Sequence, residues 1–135
     1  MCSFPVLINN SYTNNAINGL ALQGGTIASD STWDVTDTAY FILDNVSVGV
    51  GATLTVNPGV VVKFEDARAL VVQGALRVLG TVGSPVYFTS KRDDTVKGDT
   101  NNDGATTPQP GNWSRIEFQD SSNDATSRID NAVIR

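Results

Sequence analysis

The chain of 135 residues contains no histidine, one cysteine and few charged residues. Without histidine it lacks the side chain that most often acts as a general acid or base near neutral pH. The single cysteine, Cys2, cannot form an intramolecular disulfide. It is either a remnant of expression or the lipidated first residue of a mature lipoprotein. The 9 lysines and arginines are scattered singly and the formal net charge is −5, so the basic stripe of a nucleic-acid interface is missing.

Long apolar runs and helical periodicity are missing as well. No run approaches the roughly 18 apolar residues of a membrane span, and the N-terminus lacks the basic and apolar regions of a signal peptide. No segment of a dozen residues keeps a period of 3.6, and β-branched residues, Gly, Asn and Asp dominate. The sequence therefore predicts an all-β protein without a transmembrane segment.

An imperfect internal repeat is the most informative positive feature. The stretch that starts at Gly51 returns at Gly74, and the second copy has a longer turn. A repeat of this size, built from short alternating strands, is typical of a solenoid. In the first strand of the repeat, Leu54 corresponds to Leu76 and Val56 to Val78, a spacing of 22 residues. In the second strand, Val60 corresponds to Val86 and Val62 to Phe88, a spacing of 26 residues.

Each repeat contains three short strands joined by tight bends. Between the first two strands, Pro58 and Gly59 supply a corner, because Pro fixes φ and Gly accepts positive φ. Alternation places Val62 on the inner face of its strand and Val61 and Lys63 on the outside. The pattern predicts a right-handed single-stranded parallel β-helix of about three to four coils. The predicted parts are an irregular N-terminal cap or remnant of a preceding segment (1–25) and the β-helix (26–135), with a polar insertion at 91–112.

The insertion contains the first half of a calcium loop. Asp99 to Gly104 reads D-x-N-x-D-G, in which oxygen ligands alternate and the sixth-position glycine permits a sharp turn. An EF-hand is excluded because position twelve is Pro110 instead of Glu and no helix flanks the loop. The alternative is a solvated turn whose Asn and Asp side chains bind their own backbone. If Ca²⁺ binds, the predicted ligands are Asp93, Asp94, Asp99, Asn101, Asp103 and the carbonyl of Ala105.

Several of these motifs resemble the calcium-loop-bearing parallel β-helix modules of large bacterial cell-surface and secreted proteins. The resemblance spans roughly residues 26–135. It implies an extracellular or cell-surface location and a structural or adhesive role. Asn112 and Ser114 stand where such modules often carry Asp and Gly. The residues that carry the resemblance are Thr32-Trp33, Tyr40, 51–64, 71–76, 85–90, Asp93-Asp94, 98–104 and 111–116.

Three functions remain open from the sequence. The favoured one is a non-catalytic structural or adhesion segment in which calcium rigidifies the insertion. Because the sequence stops at Arg135, directly after the apolar run 132–134, we expect its last coil either to continue into further coils or to pair end to end with another copy. Carbohydrate binding is the alternative, with Tyr40 and Tyr87 as candidate stacking aromatics. A lyase-like enzyme is the third, with no catalytic residue assigned and Lys63, Arg68, Arg77, Lys91, Arg92 and Arg115 as candidate bases.

Overall fold

The computed structural model describes residues 6–135, so both interpretations of Cys2 concern a residue outside the described part. These residues form a β-solenoid without any helix, and the predicted all-β class is confirmed. None of them belongs to a helix that could cross a membrane. The thirteen strands are β1 (Leu20–Leu22), β2 (Gly25–Ile27), β3 (Ser31–Trp33), β4 (Ala39–Ile42), β5 (Val46–Val48), β6 (Thr53–Val56), β7 (Val61–Phe64), β8 (Ala69–Val72), β9 (Ala75–Leu79), β10 (Val86–Ser90), β11 (Arg115–Phe118), β12 (Arg128–Asp130) and β13 (Ala132–Ile134).

Three sheets run along the solenoid, and each receives one strand from every coil. Sheet A has the order β1-β4-β7-β10-β13, sheet B the order β2-β5-β8-β11, and sheet C the order β3-β6-β9-β12. All pairings among these strands are parallel. Sheets of four or five strands agree with the three to four coils predicted from the repeat.

The register of the sheets matches the spacing of the repeat. Leu54 lies beside Leu76 and Val56 beside Val78 in sheet C. In sheet A, Val62 lies beside Phe88. Each ladder neighbour is thus one coil away along the chain, as the 22- and 26-residue spacings predict. A hairpin arrangement would have paired antiparallel strands instead.

The inward residues of all three sheets form one apolar core. Aromatic side chains stack in pairs: Trp33 on Tyr40 within the core, with ring centroids 4.9 Å apart, and the partly buried Trp113 on Phe64 at 4.3 Å. Trp113 follows the insertion directly, so its stacking on Phe64 anchors the return of the chain to the solenoid. Each coil buries its apolar face against its neighbours, which is the source of stability in a solenoid.

The first coil starts earlier than the sequence indicates. Strand β1, at Leu20–Leu22, lies within the segment assigned to the cap and pairs with β4. A three-residue strand is too short to display a convincing alternation. Upstream of it, Leu7 packs against the apolar core.

The middle of the outer face of sheet A is buried, which the alternation pattern alone does not reveal. Val61 and Lys63 point away from the lumen as predicted, yet their exposed fractions are 3% and 0%. Phe41, beside Lys63 in the same outward ladder, is 2% exposed. The polar insertion supplies a second layer here, because the Lys63 ammonium donates to the carbonyl oxygen of Gly98 at 2.6 Å.

Two coils approach most closely at Gly74. A Cβ atom at this position would lie 2.2 Å from the carbonyl oxygen of Ala52 and 2.3 Å from that of Gly49. Both atoms belong to backbone of the preceding coil, so neither can move aside without disturbing the stack. Glycine is therefore required at this corner by the closeness of the neighbouring backbone.

We expect Gly74→Ala to lower the free energy of unfolding by about 1–3 kcal/mol, because the added methyl group overpacks the contact between two coils. Gly83→Ala is the matched control, since a Cβ there meets nothing within 4 Å. It should change stability by less than about 0.5 kcal/mol. Chemical denaturation measures both variants. Equal stability of the two would contradict the close approach at Gly74.

Candidate functional site

The insertion at 91–112 lies over the outer face of sheet A and is tied to it by side-chain hydrogen bonds. Besides the contact between Lys63 and Gly98, the Thr89 hydroxyl donates to Oδ2 of Asp93 at 2.8 Å. Thr100, in the middle of the insertion, is fully buried. Its carbonyl accepts a hydrogen bond from the amide of Asn18 at 2.7 Å. The insertion thus connects the solenoid to the N-terminal segment.

Lys63 is the charged side chain at the centre of this second layer. It lies between Phe41 and Thr89 in the outward ladder of sheet A. Burial lowers the pKa of Lys63 to about 8, although the carboxylates of Asp94, Asp93 and Asp99 act in the opposite direction. The chain therefore places a cation of its own next to three of the predicted calcium ligands.

Asp93 is fully buried, and its carboxylate is held by protein donors. Oδ2 accepts from Thr89 and from Nε of Arg135 at 2.9 Å. Oδ1 accepts from the amide and hydroxyl of Thr95 at 3.2 and 2.5 Å. Burial raises the pKa of Asp93, but the hydrogen bonds from Thr95, Thr89 and Arg135 outweigh it, so the pKa is lowered overall. Asp93 thus fastens the insertion to β10 through Thr89 and to the residue after β13 through Arg135.

Asp94 and Asn101 have a different environment, because each has a buried oxygen without a hydrogen-bond donor. In the described part of the chain, Oδ1 of Asp94 and Oδ1 of Asn101 are two of the few buried side-chain atoms with this property. The other oxygen of Asp94 accepts from the Thr106 amide at 2.7 Å. A buried oxygen without a donor is costly unless a cation or water supplies a partner.

The D-x-N-x-D-G segment closes on Asp99 as a tight turn. Its two carboxylate oxygens accept from the amides of Asp103 at 3.2 Å and Gly104 at 2.9 Å. The amide group of Asn101 donates to Oδ2 of Asp103 at 2.7 Å. Gly104 has a φ of 89°, which glycine adopts readily. Ala105 follows as an exposed residue. These contacts match the alternative interpretation, in which the acidic residues bind their own backbone.

The donor set fits a calcium ion in part. Residues 6–135 contain no group of three or more His, Cys, Asp or Glu side chains arranged to hold a metal ion. The free oxygens of Asp94 and Asn101 nevertheless have the hard-ligand chemistry that calcium prefers. Asp99 and Asp103 keep lone pairs beyond those used in the turn. Asp93 contributes least, since each of its oxygens already accepts two protein hydrogen bonds. Calcium ligation by the six predicted residues stays a prediction.

Most candidate bases are occupied in ion pairs or buried. Glu65 pairs with Lys91, and Asp66 with Arg92 at 2.8 Å. Arg115 pairs with Glu117 at 2.6 Å and Arg68 lies 3.5 Å from Asp44. The pKa of Asp66 is lowered chiefly by its hydrogen bond from Arg92. These arginines and lysines neutralise nearby carboxylates along the coil corners.

Neither tyrosine proposed for sugar stacking presents a free ring. Tyr40 lies in the core against Trp33, and its hydroxyl accepts from the amides of Asp34 and Val35 at 3.2 and 3.3 Å. It is therefore not a surface aromatic. Tyr87 is half-buried on the outside, and the Arg135 guanidinium lies 5.5 Å from its ring centroid. A sugar ring would have to displace this cation–π contact.

Sequence reasoning missed the structural roles of Lys63 and Arg135. Lys63 could have been recognised as unusual, because it is the one charged residue between the apolar Val60 and Phe64. The pairing of Arg135 with Asp93 could not have been recognised from the sequence, since the two residues are 42 positions apart in the chain and belong to different coils.

Comparison with known proteins gives a limited similarity. No family's sequence profile matches the chain, and no solved structure matches it. A stretch of 70 residues is 36% identical to part of a Drosophila melanogaster protein named Protein bark beetle. The stretch makes up 52% of this chain but only 2% of that much longer protein. The chain is thus similar to a small part of a large protein.

Proposed function

We propose that the chain is a non-catalytic structural segment of an extracellular or cell-surface β-solenoid protein. The observation that carries the proposal is the double layer at sheet A, where Lys63 and Arg135 bind the insertion to the stack. Here the insertion provides a fixed outer surface, and the solenoid provides the rigid support. The low charge content and the lack of histidine agree with this role.

The state of the basic side chains supports a role other than catalysis. A general base must reach a substrate proton with a free lone pair. Lys91, Arg92 and Arg115 instead form ion pairs, and Lys63 is enclosed beneath the insertion. A lyase-like mechanism would have to break one of these contacts first.

Calcium is proposed as a further clamp on the insertion. Four carboxylates, those of Asp93, Asp94, Asp99 and Asp103, belong to this segment. Lys91 and Arg92 of the insertion pair with Glu65 and Asp66. Lys97 of the insertion and the solenoid's Lys63 and Arg135 balance three of the four charges. A divalent ion near the free oxygens of Asp94 and Asn101 would offset the remainder and give these oxygens a partner.

The last coil provides a surface for assembly. Strands β11, β12 and β13 each pair on one side within residues 6–135. Phe118, Ile129 and Ile134 on these strands have exposed fractions of 40%, 39% and 53%. An open strand edge next to apolar side chains favours addition of another strand. We propose that further β-coils or a second copy of the chain stack here, which would give the adhesive or filament-forming role.

The stability of the fold should depend on pH through Lys63. Its pKa of about 8 lies below the ordinary value of 10.5. At pH values between about 8 and 10.5, Lys63 is protonated in the unfolded chain and largely deprotonated in the folded chain. The free energy of unfolding therefore rises with pH in this range. We expect a rise of about 2 kcal/mol between pH 7 and pH 10 from this residue. The rise should disappear in Lys63→Met, as measured by urea denaturation at a series of pH values.

Lys97→Met is the control for this experiment, because Lys97 is an exposed lysine of the same insertion. In this variant the free energy of unfolding should rise with pH as it does in the unmodified protein. Burial raises the pKa of Tyr40 above its ordinary value of 10.0, so that group starts to lower stability near pH 10 and contributes little over most of the chosen window. An unchanged pH profile in Lys63→Met would show that the buried ammonium does not titrate in this range.

Calcium should raise the thermal midpoint relative to a chelator. One bound ion contributes about 2.7 kcal/mol when the free calcium concentration is 100 times Kd. Asp99→Ala, Asp103→Ala and the isosteric Asp94→Asn should each reduce the shift between the two conditions. Asp124→Ala, on an exposed bend of the last coil, should leave it unchanged. Identical midpoints with calcium and with chelator in the unmodified protein would remove the ion from the proposal.

A further inference from the structure

A polar cleft lies where the N-terminal segment meets the insertion. Three stretches line it: residues 10–14 with Asn18, residues 37–38, and residues 97–99 with Asn102. Its volume is about 440 Å³, which is within the range of small-molecule sites in proteins. The cleft is separate from the stacking surface of the last coil. It shares Asp99 and Asn102 with the D-x-N-x-D-G segment, but the sequence did not indicate that this segment meets residues 10–14.

Hydrogen bonds between the three stretches hold the cleft in shape. The Asn10 amide donates to Oδ2 of Asp37 at 3.1 Å. The side-chain amide of Asn18 donates to the carbonyl of Asp99 at 3.2 Å. The Lys97 ammonium donates to the carbonyl of Thr36 at 2.5 Å. Because its walls are joined in this way, a ligand would not have to order them, and less binding free energy is lost.

The lining has the chemistry of a site for hydroxyl groups. The side-chain amides of Asn14 and Asn102 each offer donors and an acceptor, and Asp37 and Asp99 offer further acceptors. Asn18 keeps one N–H beyond its hydrogen bonds to Asp99 and Asn15. A sugar hydroxyl is both donor and acceptor, so it can use either kind of partner. Tyr12 supplies the one aromatic ring of the lining and is partly exposed.

The charges of the cleft select against other ligands. Among the lining side chains, Asp37 and Asp99 face one cation, Lys97, whose ammonium is already bound to Thr36. The other nearby cation, Lys63, lies beneath the lining and donates to the carbonyl of Gly98. A phosphate or acidic sugar would therefore meet two carboxylates at the surface of the cleft and no unbound ammonium. The predominance of amide and hydroxyl groups disfavours an apolar ligand, because these groups would lose their hydrogen bonds to water without replacement.

We propose that this cleft binds a short neutral saccharide. The Tyr12 ring would pack against one face of a sugar ring, and the amides of Asn14 and Asn18 would bind its hydroxyls. This goes beyond the structural role proposed above, since the insertion and the N-terminal segment then form a binding site together. It also moves the carbohydrate interaction from Tyr40 and Tyr87 to a different face of the molecule.

Nuclear magnetic resonance titration of the full chain tests the proposal. The ¹⁵N-labelled protein is titrated with maltose, cellobiose, lactose and N,N′-diacetylchitobiose to millimolar concentrations. At least one sugar should shift amide signals in a saturable way, and the shifts should be confined to residues 10–18, 37–38 and 97–102. The unshifted signals of the sheet residues report that the fold is intact.

Variants identify the residues that bind the sugar. Tyr12→Ala and Asn14→Gly should each weaken binding about tenfold, equivalent to about 1.4 kcal/mol. Glycine is chosen at Asn14 because its φ of 57° would strain alanine. Tyr12→Phe keeps the ring and should retain most of the affinity. The proposal is overturned if none of the four sugars shifts any signal, if the shifts map elsewhere, or if Tyr12→Ala and Asn14→Gly bind as tightly as the unmodified protein.

Discussion

The in-register stacking of one coil on the next is the constraint on which the rest of the structure depends. Each inward side chain packs against the equivalent residue of the adjacent coil, as Leu54 does against Leu76. Parallel strands at a spacing of about 4.8 Å leave no room for an extra atom where corners meet. Gly74 shows this limit, because its backbone lies directly over Ala52 and Gly49. The same stacking also aligns the outward residues into ladders, and these create the surface on which the insertion rests.

On the outer face of sheet A, the ladder formed by Phe41, Lys63 and Thr89 is buried, as the residues of the core are. Phe41 and Val61 are buried on this outer face, and Lys63 gives the insertion a hydrogen-bond donor and a charge. A buried ammonium is unfavourable alone, but it becomes tolerable beside a carbonyl and several carboxylates. Arg135 adds the second connection through Asp93. A long polar loop can thus remain ordered on a small solenoid, and the side of the loop away from the sheet is available for ligands or ions.

The sequence predicts the coils well because their determinants repeat. Leu54 with Leu76 and Val62 with Phe88 recur at nearly constant spacing, so class, register and parallel direction follow from the pattern. The sequence does not predict that Val61 and Lys63 are buried, since alternation assigns a residue to one face of a strand without indicating which segment packs on that face. The contact of Asp93 with Arg135 and the cleft beside Tyr12 depend on how nonrepeating segments dock. Such contacts join residues far apart in the chain, and no local propensity encodes them.

Disulfide trapping across two coils tests the stacking most directly. In a Cys2→Ser background, Thr55→Cys is combined with Arg77→Cys, two positions that are side by side in sheet C. Their separation of about 4.8 Å between coils falls within the Cα range of disulfides. The control combines Thr53→Cys with Arg77→Cys, which is two residues out of register. Under mild oxidation the 55–77 pair should form a disulfide while the fold and its thermal midpoint are retained, and the 53–77 pair should stay reduced. Preferential oxidation of the 53–77 pair, or of neither pair in folded protein, would contradict the stacked-coil account.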